Sequence, residues 1–254
     1  MSGIGLRVQR AAASHEGRIR PHNEDSFACG DEDGLWVVAD GMGGHEHGEW
    51  ASAALIAALR GPSLPADFEA ARNEVAERIH RANGDIFGEA SARGVQIGTT
   101  VVALLVRGRR FAVLWVGDSR AYLLRDGLLH QLSSDHSHVQ ELVEQGLLRA
   151  ADAEGHPMAH VLTRAVGVDA TIEVDVVEDE VEPGDVFLLC SDGLHGYVER
   201  NELWRLLGGG DAERISADLI AATLDRGAPD NVTVIALLFT EPTMVPTGQP
   251  AEAP

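Results

Sequence analysis

The pattern of hydrophobic and polar positions divides the chain into short apolar runs and longer segments with helical periodicity. Residues 25–28 and 35–39 are two strand candidates near the N-terminal end, and the second is a continuous apolar run, as in a buried strand. From residue 48 to residue 60 apolar side chains recur at helical spacing, before a Gly-Pro pair. They are Trp50, Ala54, Leu55, Ala58 and Leu59. This pattern predicts a helix that packs these side chains against the core.

A second, longer helix is predicted from about residue 66 to residue 92, where apolar side chains keep the 3.6-residue period. Its predicted core face comprises Phe68, Ala71, Val75, Ile79, Ala82, Ile86 and Phe87. Gly84 is the weak point of this helix, because glycine has a low helix propensity.

Strand-like runs separated by glycine-containing turns follow the long helix and predict a meander of antiparallel strands. The runs cover residues 99–106, 111–116, 121–124 and 128–132. A helix with Gly146 at its left-handed C-terminal position is expected after Asp135. The remaining predicted elements are a strand at 186–190, helices near 201–207 and 212–224, and a strand at 231–239.

Length and composition are those of a folded globular protein, with 254 residues, 44% apolar and 24% charged. We expect one domain over residues 1–240 and a disordered, proline-rich tail over 241–254. The N-terminal segment lacks the apolar region of a signal peptide, and no run reaches the length of a membrane span, so a cytoplasmic protein is expected. Cys29 and Cys190 are expected to be buried thiols rather than a disulfide.

The charge balance is strongly acidic, with 40 acidic against 20 basic residues. Such a field repels nucleic-acid phosphates and anionic lipids, so neither nucleic acid nor a membrane is an expected partner. We expect a monomer. Residues 173–185 carry seven carboxylates and no basic residue, a pattern that favours the solvated face of a strand and its turn over a binding patch.

Several aspartates stand where an apolar strand meets a turn. Asp40, Asp118 and Asp192 each follow an apolar run, and Asp230 precedes the last strand. Carboxylates at such positions are costly to bury unless a cation compensates them, and oxygen-only ligands select Mg²⁺ or Mn²⁺ rather than zinc. Asp-Gly is also the commonest turn dipeptide, so one aspartate alone would favour a turn. Their recurrence predicts a metal cluster, with the Gly41 carbonyl as a further ligand.

A set of short motifs, taken together, resembles the metal-dependent type 2C protein serine/threonine phosphatases, the PPM family, in their bacterial branch. The motifs are RPHNED at 20–25, VADGMGGH at 38–45, GTT at 98–100, VGDSRAY at 116–122, DHS at 135–137, LTRAVG at 162–167, SDGL at 191–194 and DNVTV at 230–234. They follow the order and spacing of that family from about residue 5 to residue 240.

The resemblance implies an α+β fold in which pairs of antiparallel helices flank a central antiparallel β-sandwich, with a variable flap over about residues 146–160. It implies hydrolysis of phosphoserine and phosphothreonine on proteins, opposing a bacterial Ser/Thr kinase. Two Mn²⁺ or Mg²⁺ ions would activate a bridging water that attacks phosphorus in line. Two alternatives stay open, a catalytically silent binding module of the same fold and a phosphatase that acts on another phosphoester.

The resemblance also implies roles for individual residues. Asp40 would bridge the two ions, with the Gly41 carbonyl on one of them and with Asp192 and Asp230 on the other. Glu24 would reach a metal through water, and Asp25 would be the acid beside the metal-bound water. Asp118 would help Asp192 to hold a third, weaker ion. Arg20 would grip two oxygens of the substrate phosphate, as a planar guanidinium can.

One position departs from the animal members of this family, in which a histidine proposed as the general acid follows the Asp-Gly pair. This chain has Met42 there, as bacterial relatives do, so the general acid is unassigned. His45 is a candidate neighbour of the site. His136 and His138 are expected to be capping or surface residues.

Overall fold

The computed structural model describes residues 6–44, 46–153, 156–159 and 161–241. Within these ranges the chain forms eleven strands and seven helices. The strands are β1 Arg7–His15, β2 Asp25–Gly30, β3 Leu35–Met42, β4 Gly98–Thr99, β5 Val101–Arg107, β6 Arg110–Val116, β7 Arg120–Arg125, β8 Leu128–Gln131, β9 Asp175–Glu180, β10 Val186–Cys190 and β11 Val232–Thr240. The helices are α1 Glu46–Leu59, α2 Phe68–Arg93, α3 His138–Glu144, α4 Ala150–Ala153, α5 Asp192–His195, α6 Arg200–Leu207 and α7 Ala212–Asp225.

Two antiparallel sheets form the centre of the molecule. One has the strand order β1-β11-β10-β7-β8, and the other has the order β2-β3-β5-β6-β9, with β4 paired to β3. Aromatic rings fill the space between the sheets, where Phe187 meets Phe111 at 5.0 Å and Phe239 at 5.5 Å, both edge to face. The sheets therefore pack as a sandwich around an apolar core that contains these rings.

Helices cover both outer faces of the sandwich. Leu55 of α1 and Val75 of α2 pack against the second sheet, while Leu203 of α6 and Leu219 of α7 pack against the first. Strand β3 is continuously apolar because it is buried on both faces: Val37 faces the helices and Val38 faces the opposite sheet. These four layers confirm the predicted α+β class.

The predicted meander is wrong as a single unit. Strands β5 and β6 pair in one sheet, whereas β7 and β8 pair in the other. The chain crosses between the sheets at Gly117, whose φ of 106° is open to glycine and strained for other residues. A Cβ at Gly117 would lie 2.7 Å from Thr100 Cγ2, so the crossing also requires a residue that has no side chain.

The predicted core face of α1 is partly wrong. Trp50 is 39% exposed, while Ala51, Leu55 and Ile56 are buried, so the helix is rotated relative to the prediction. Helix α2 matches its prediction more closely. Asp67 caps its N-terminus by accepting from the Ala70 N–H, and the helix runs through Gly84 without a break.

Other predictions fall on the remaining elements. Strand β9 lies at the edge of its sheet inside the acidic stretch, where Glu178 pairs with Arg72 and Arg110, as expected for a strand with a solvated face.

Both cysteines are free, with Cys190 buried and Cys29 half-buried. Among the described residues, no helix is long and apolar enough to cross a membrane. Residues from 242 onward in the predicted tail, residues 154, 155 and 160 of the predicted flap, and His45 lie outside the described ranges.

Candidate active site

Strand ends bring the predicted site residues to one end of the sandwich. Asp25 and Asp40 face each other in the β2–β3 register, Asp118 lies at the crossing after β6, and Asp192 begins α5 directly after β10. Asp40, Asp118 and Asp192 lie in the wall of a cavity of about 770 Å³. The predicted residues that line it are Arg20, Glu24, Asp40, Gly41, Asp118, Asp192 and Asp230. Asp25 does not line this cavity and is buried beside it.

Hydroxyl groups from the Gly-Thr-Thr segment hold Asp40 in place. The Asp40 N–H donates to Thr100 Oγ1 at 3.0 Å, and Thr99 Oγ1 donates to the Asp40 carbonyl at 2.9 Å. Thr100 Oγ1 also lies 2.6 Å from Ser119 Oγ, next to Asp118 in the chain. The backbones of Asp40 and Asp118 are thus linked through two buried hydroxyls, which fixes the strand ends relative to each other.

Glycines allow Glu24 to approach the start of α1. The Gly41 N–H donates to the Glu24 carbonyl at 3.1 Å. A Cβ at Gly48 would lie 2.4 Å from Glu24 Oε2, and a Cβ at Gly41 would lie 2.0 Å from the Gly48 carbonyl oxygen. Any larger residue at Gly41 or Gly48 would displace Glu24, so these glycines define the wall of the cavity behind that carboxylate.

Asp25 has one satisfied and one unsatisfied oxygen. Its Oδ2 accepts from Ser191 Oγ at 2.8 Å, whereas the buried Oδ1 has no hydrogen-bond partner among the described residues. Burial raises the pKa of Asp25 to about 7, and the nearby charges of Asp192 and Asp230 act in the same direction. An acceptor left unpaired in a buried position is costly unless the site supplies a donor or a cation.

Burial and the neighbouring carboxylates also raise the pKa values of the acids Asp40 and Asp118. Burial, reinforced by Asp192, raises the pKa of Asp118 to about 8. Burial also raises the pKa of Asp40 well above its usual range, with contributions from Asp25 and Asp192. Clustered oxygen donors of this kind fit a hard divalent cation, which would compensate several carboxylates at once.

The side chains themselves are not arranged as the finished coordination sphere of one ion. In the described part of the chain, no three acidic, histidine or cysteine side chains are grouped closely enough to hold a metal ion. The Asp230 carboxylate is instead engaged by Arg20, whose Nε and Nη2 donate to Oδ1 and Oδ2 at 2.9 and 2.8 Å. Arg20, the predicted phosphate ligand, therefore lies in the cavity wall paired with a predicted metal ligand.

The Asp135-His-Ser137 segment has a structural role that the sequence did not indicate. Asp135 accepts from Arg120 at 2.8 and 2.6 Å, and Ser137 caps α3 by accepting from the Gln140 N–H. The prediction that His136 is a capping or surface residue is wrong. His136 is buried, stacks on Trp115 at 6.2 Å, and its Nδ1 accepts from the Gly117 N–H at 3.0 Å.

Sequence reasoning assigned no role to several residues that shape the cavity. Arg164 and Tyr197 line it, and Arg164 is held by Asp175 at 2.8 Å. Asn83 of α2 fixes the neighbouring loop, since its Oδ1 accepts from the Gly167 N–H at 2.7 Å and its Nδ2 donates to the Asp169 carbonyl at 3.0 Å. The sequence signal that could have indicated Asn83 is an asparagine beside the apolar face of a long helix.

Known proteins resemble this chain in both sequence and fold. A family model described as protein phosphatase 2C matches residues 13–225. The serine/threonine protein phosphatase PstP of Mycobacterium tuberculosis is 36% identical over 244 residues, which cover 92% of this chain and 46% of that protein. The serine/threonine phosphatase stp of Listeria monocytogenes is 35% identical over 229 residues, which cover 86% of this chain and 91% of that protein. The chain thus spans about half the length of the Mycobacterium relative and most of the Listeria one.

Solved structures agree with these sequence matches. PppA, a regulatory component of the type VI secretion system in Pseudomonas aeruginosa, superposes with a TM-score of 0.85 at 40% identity, covering 91% of this chain and 97% of that one. The catalytic domain of PstP in complex with two manganese ions superposes with a TM-score of 0.82 at 34% identity, covering 92% and 99%. The family match contains Arg20, Asp40, Asp118 and Asp192 of the cavity. The chain belongs to the protein phosphatase 2C family.

Proposed function

We propose that this chain hydrolyses phosphoserine and phosphothreonine monoesters on proteins with the help of two divalent cations. The observation that carries the proposal is the placement of Asp40, Asp118, Asp192 and Asp230 around one cavity that also contains Arg20. Elements far apart in the sequence supply these residues, so a turn preference at each aspartate does not account for their meeting. Membership in the phosphatase family supports the same activity.

The residues suited to hold the ions, Mn²⁺ or Mg²⁺, follow from their positions in the cavity wall. Asp40 and the Gly41 carbonyl would serve one ion, Asp40, Asp192 and Asp230 the other, and Glu24 would act through water. Asp118 beside Asp192 would hold a third, weaker ion. When bound, the ions supply activation of a water nucleophile and neutralisation of the phosphate charge.

The protein's own groups position the reactants. Asp25 Oδ1, buried and without a partner among the described residues, is an acceptor for the proton of a water molecule beside the cluster. Ser191 holds the other oxygen of Asp25 and so sets the direction of this acceptor. Arg20 would exchange its two bonds to Asp230 for two bonds to phosphate oxygens, since carboxylate and phosphate each offer two anionic oxygens to the planar guanidinium. Met42 lines the cavity and has no proton to donate, so it does not act as the general acid.

The wider setting is part of the proposal. One catalytic domain would cover residues 1–240, with the flap of about residues 146–160 beside the site and a proline-rich tail after it. Its substrates would be proteins phosphorylated by a bacterial Ser/Thr kinase, and it would act as a monomer in the cytoplasm. The acidic surface, with 40 acidic against 20 basic residues, supports protein rather than nucleic-acid partners.

The experiment is hydrolysis of a phosphothreonine peptide by the purified chain with Mn²⁺, and then with excess EDTA. We expect phosphate release that appears with the metal and stops with the chelator. A folded sample that is inactive in both conditions would favour the silent binding module. Turnover of an aryl phosphate without turnover of any phosphopeptide would favour another phosphoester.

A further inference from the structure

His195 connects the two parts of the site that carry Asp118 and Asp192. It is the last residue of α5, the short helix that Asp192 begins. Its Nε2 lies 3.0 Å from the backbone carbonyl oxygen of Asp118. The carboxylates of Asp118 and Asp192 thus belong to two elements that His195 joins directly.

The Asp118 turn needs such a connection because it crosses from one sheet to the other. On its N-terminal side, the Gly117 N–H donates to the ring Nδ1 of His136 at 3.0 Å, and the backbone N–H of His136 donates to the Gly117 carbonyl at 2.9 Å. On its C-terminal side, Ser119 Oγ lies 2.6 Å from Thr100 Oγ1. These contacts tie the turn to the sandwich, and His195 ties it to α5.

The chemistry of the contact defines the form of the imidazole. A carbonyl oxygen only accepts, so Nε2 must carry the proton and donate it. The contact therefore orients the Asp118 turn through a hydrogen bond from Nε2 to the Asp118 carbonyl oxygen.

We propose that His195 is a positioning residue that sets the separation between the Asp118 turn and α5, so that Asp118 and Asp192 can share one ion. The inference rests on the proposed function. Groups that hold metal ligands in place commonly change metal affinity by about 10- to 100-fold when they are removed. Loss of the His195 donor should therefore weaken the ion that depends on Asp118 and spare the ions held through Asp40.

The test compares His195→Ala with His195→Gln, because the glutamine Nε2 retains a donor at similar reach. Mn²⁺ binding is measured by titration calorimetry on the whole chain, and Asp118→Asn identifies the ion that depends on Asp118. We expect His195→Ala to weaken that ion about tenfold and to leave the other ions within about twofold. His195→Gln should restore most of the affinity. The control is His130→Ala, a change at an exposed histidine of β8.

A double variant separates positioning from general packing. If His195 acts through Asp118, then adding His195→Ala to Asp118→Asn causes no further loss of Mn²⁺ binding. Wild-type Mn²⁺ binding in His195→Ala, no restoration by His195→Gln, or no Asp118-dependent ion in the wild type would overturn the inference while leaving the two-ion proposal intact. Absence of any Mn²⁺ binding by the folded wild type would overturn both.

Discussion

Arg20 and Asp230 form a two-point ion pair in the wall of the cavity, with Nε and Nη2 of the arginine 2.9 and 2.8 Å from the two carboxylate oxygens. They are separated by most of the chain, and the start of β11 places Asp230 opposite the segment that leads into β2. The pair joins the proposed phosphate ligand to a proposed metal ligand. A substrate phosphate would compete with Asp230 for Arg20, and a metal ion would compete with Arg20 for Asp230.

The first prediction concerns Arg20→Ala. Loss of a charge-assisted bidentate contact costs about 1.5–3 kcal/mol, so KM for a phosphopeptide should rise roughly 10- to 100-fold. The same change frees the Asp230 carboxylate, so Mn²⁺ should bind at least as tightly as in the wild type. Steady-state kinetics at saturating Mn²⁺ and a separate Mn²⁺ titration measure the two effects. Unchanged KM and kcat would refute the phosphate role.

Asp192→Asn should remove most of the activity and leave the fold intact. The substitution keeps the side-chain volume and removes the charge that a divalent cation needs. Phosphopeptide turnover and thermal unfolding are measured together, with Asp85→Asn on the exposed surface of α2 as the control. Near-normal turnover of Asp192→Asn at saturating Mn²⁺ would contradict the metal assignment.

Stability without divalent cations should fall as the pH rises. Burial raises the pKa of Asp25 to about 7 and of Asp118 to about 8, so the native protein retains protons that the unfolded chain releases. A raised pKa adds stability that is complete below the unfolded value of 3.8 and disappears as the pH passes through 7 to 8.

The measurement for this pH dependence is the thermal midpoint in EDTA between about pH 5.5 and about pH 8.5. We expect it to decrease across this interval. Added Mg²⁺ should raise the thermal midpoint most at the alkaline end. There the carboxylates are already deprotonated, so the cation binds without having to displace protons. Asp118→Asn should flatten the slope in EDTA. A stabilisation by Mg²⁺ that is largest at the acidic end would show that the assigned linkage is wrong.

Two glycine substitutions should have opposite effects on stability. Gly117→Ala places a Cβ at 2.7 Å from Thr100 Cγ2 on a backbone with φ 106°, so it should destabilise by roughly 1–3 kcal/mol from backbone strain alone. Gly84→Ala in the interior of α2 meets no atom within 4 Å and should stabilise by about 0.5–1 kcal/mol. Denaturant unfolding measures both. Equal effects of the two substitutions would remove the conformational role assigned to Gly117.

Several features of the protein followed from the sequence because their causes are local. The apolar run at 35–39 predicts a buried strand, and the helical periodicity over residues 66–92 predicts α2 to within about two residues of its ends. The motifs around Asp40, Asp118, Asp192 and Asp230 indicate the family and the chemistry. Neighbouring residues along the chain contain the signal for each element and each motif, and the recurrence of the motifs indicates the family.

Tertiary structure alone decided the features that depend on distant partners. Strand β1 has the sequence RVQRAAASH, which has little strand propensity, and it is extended because it pairs with β11 from Arg7 opposite Thr240 to His15 opposite Val232. The orientation of Trp50 on α1, the crossing at Gly117 and the contact of His195 with Asp118 have the same origin. Local propensity limits which elements form, whereas the packing of distant segments determines which faces and which side chains meet.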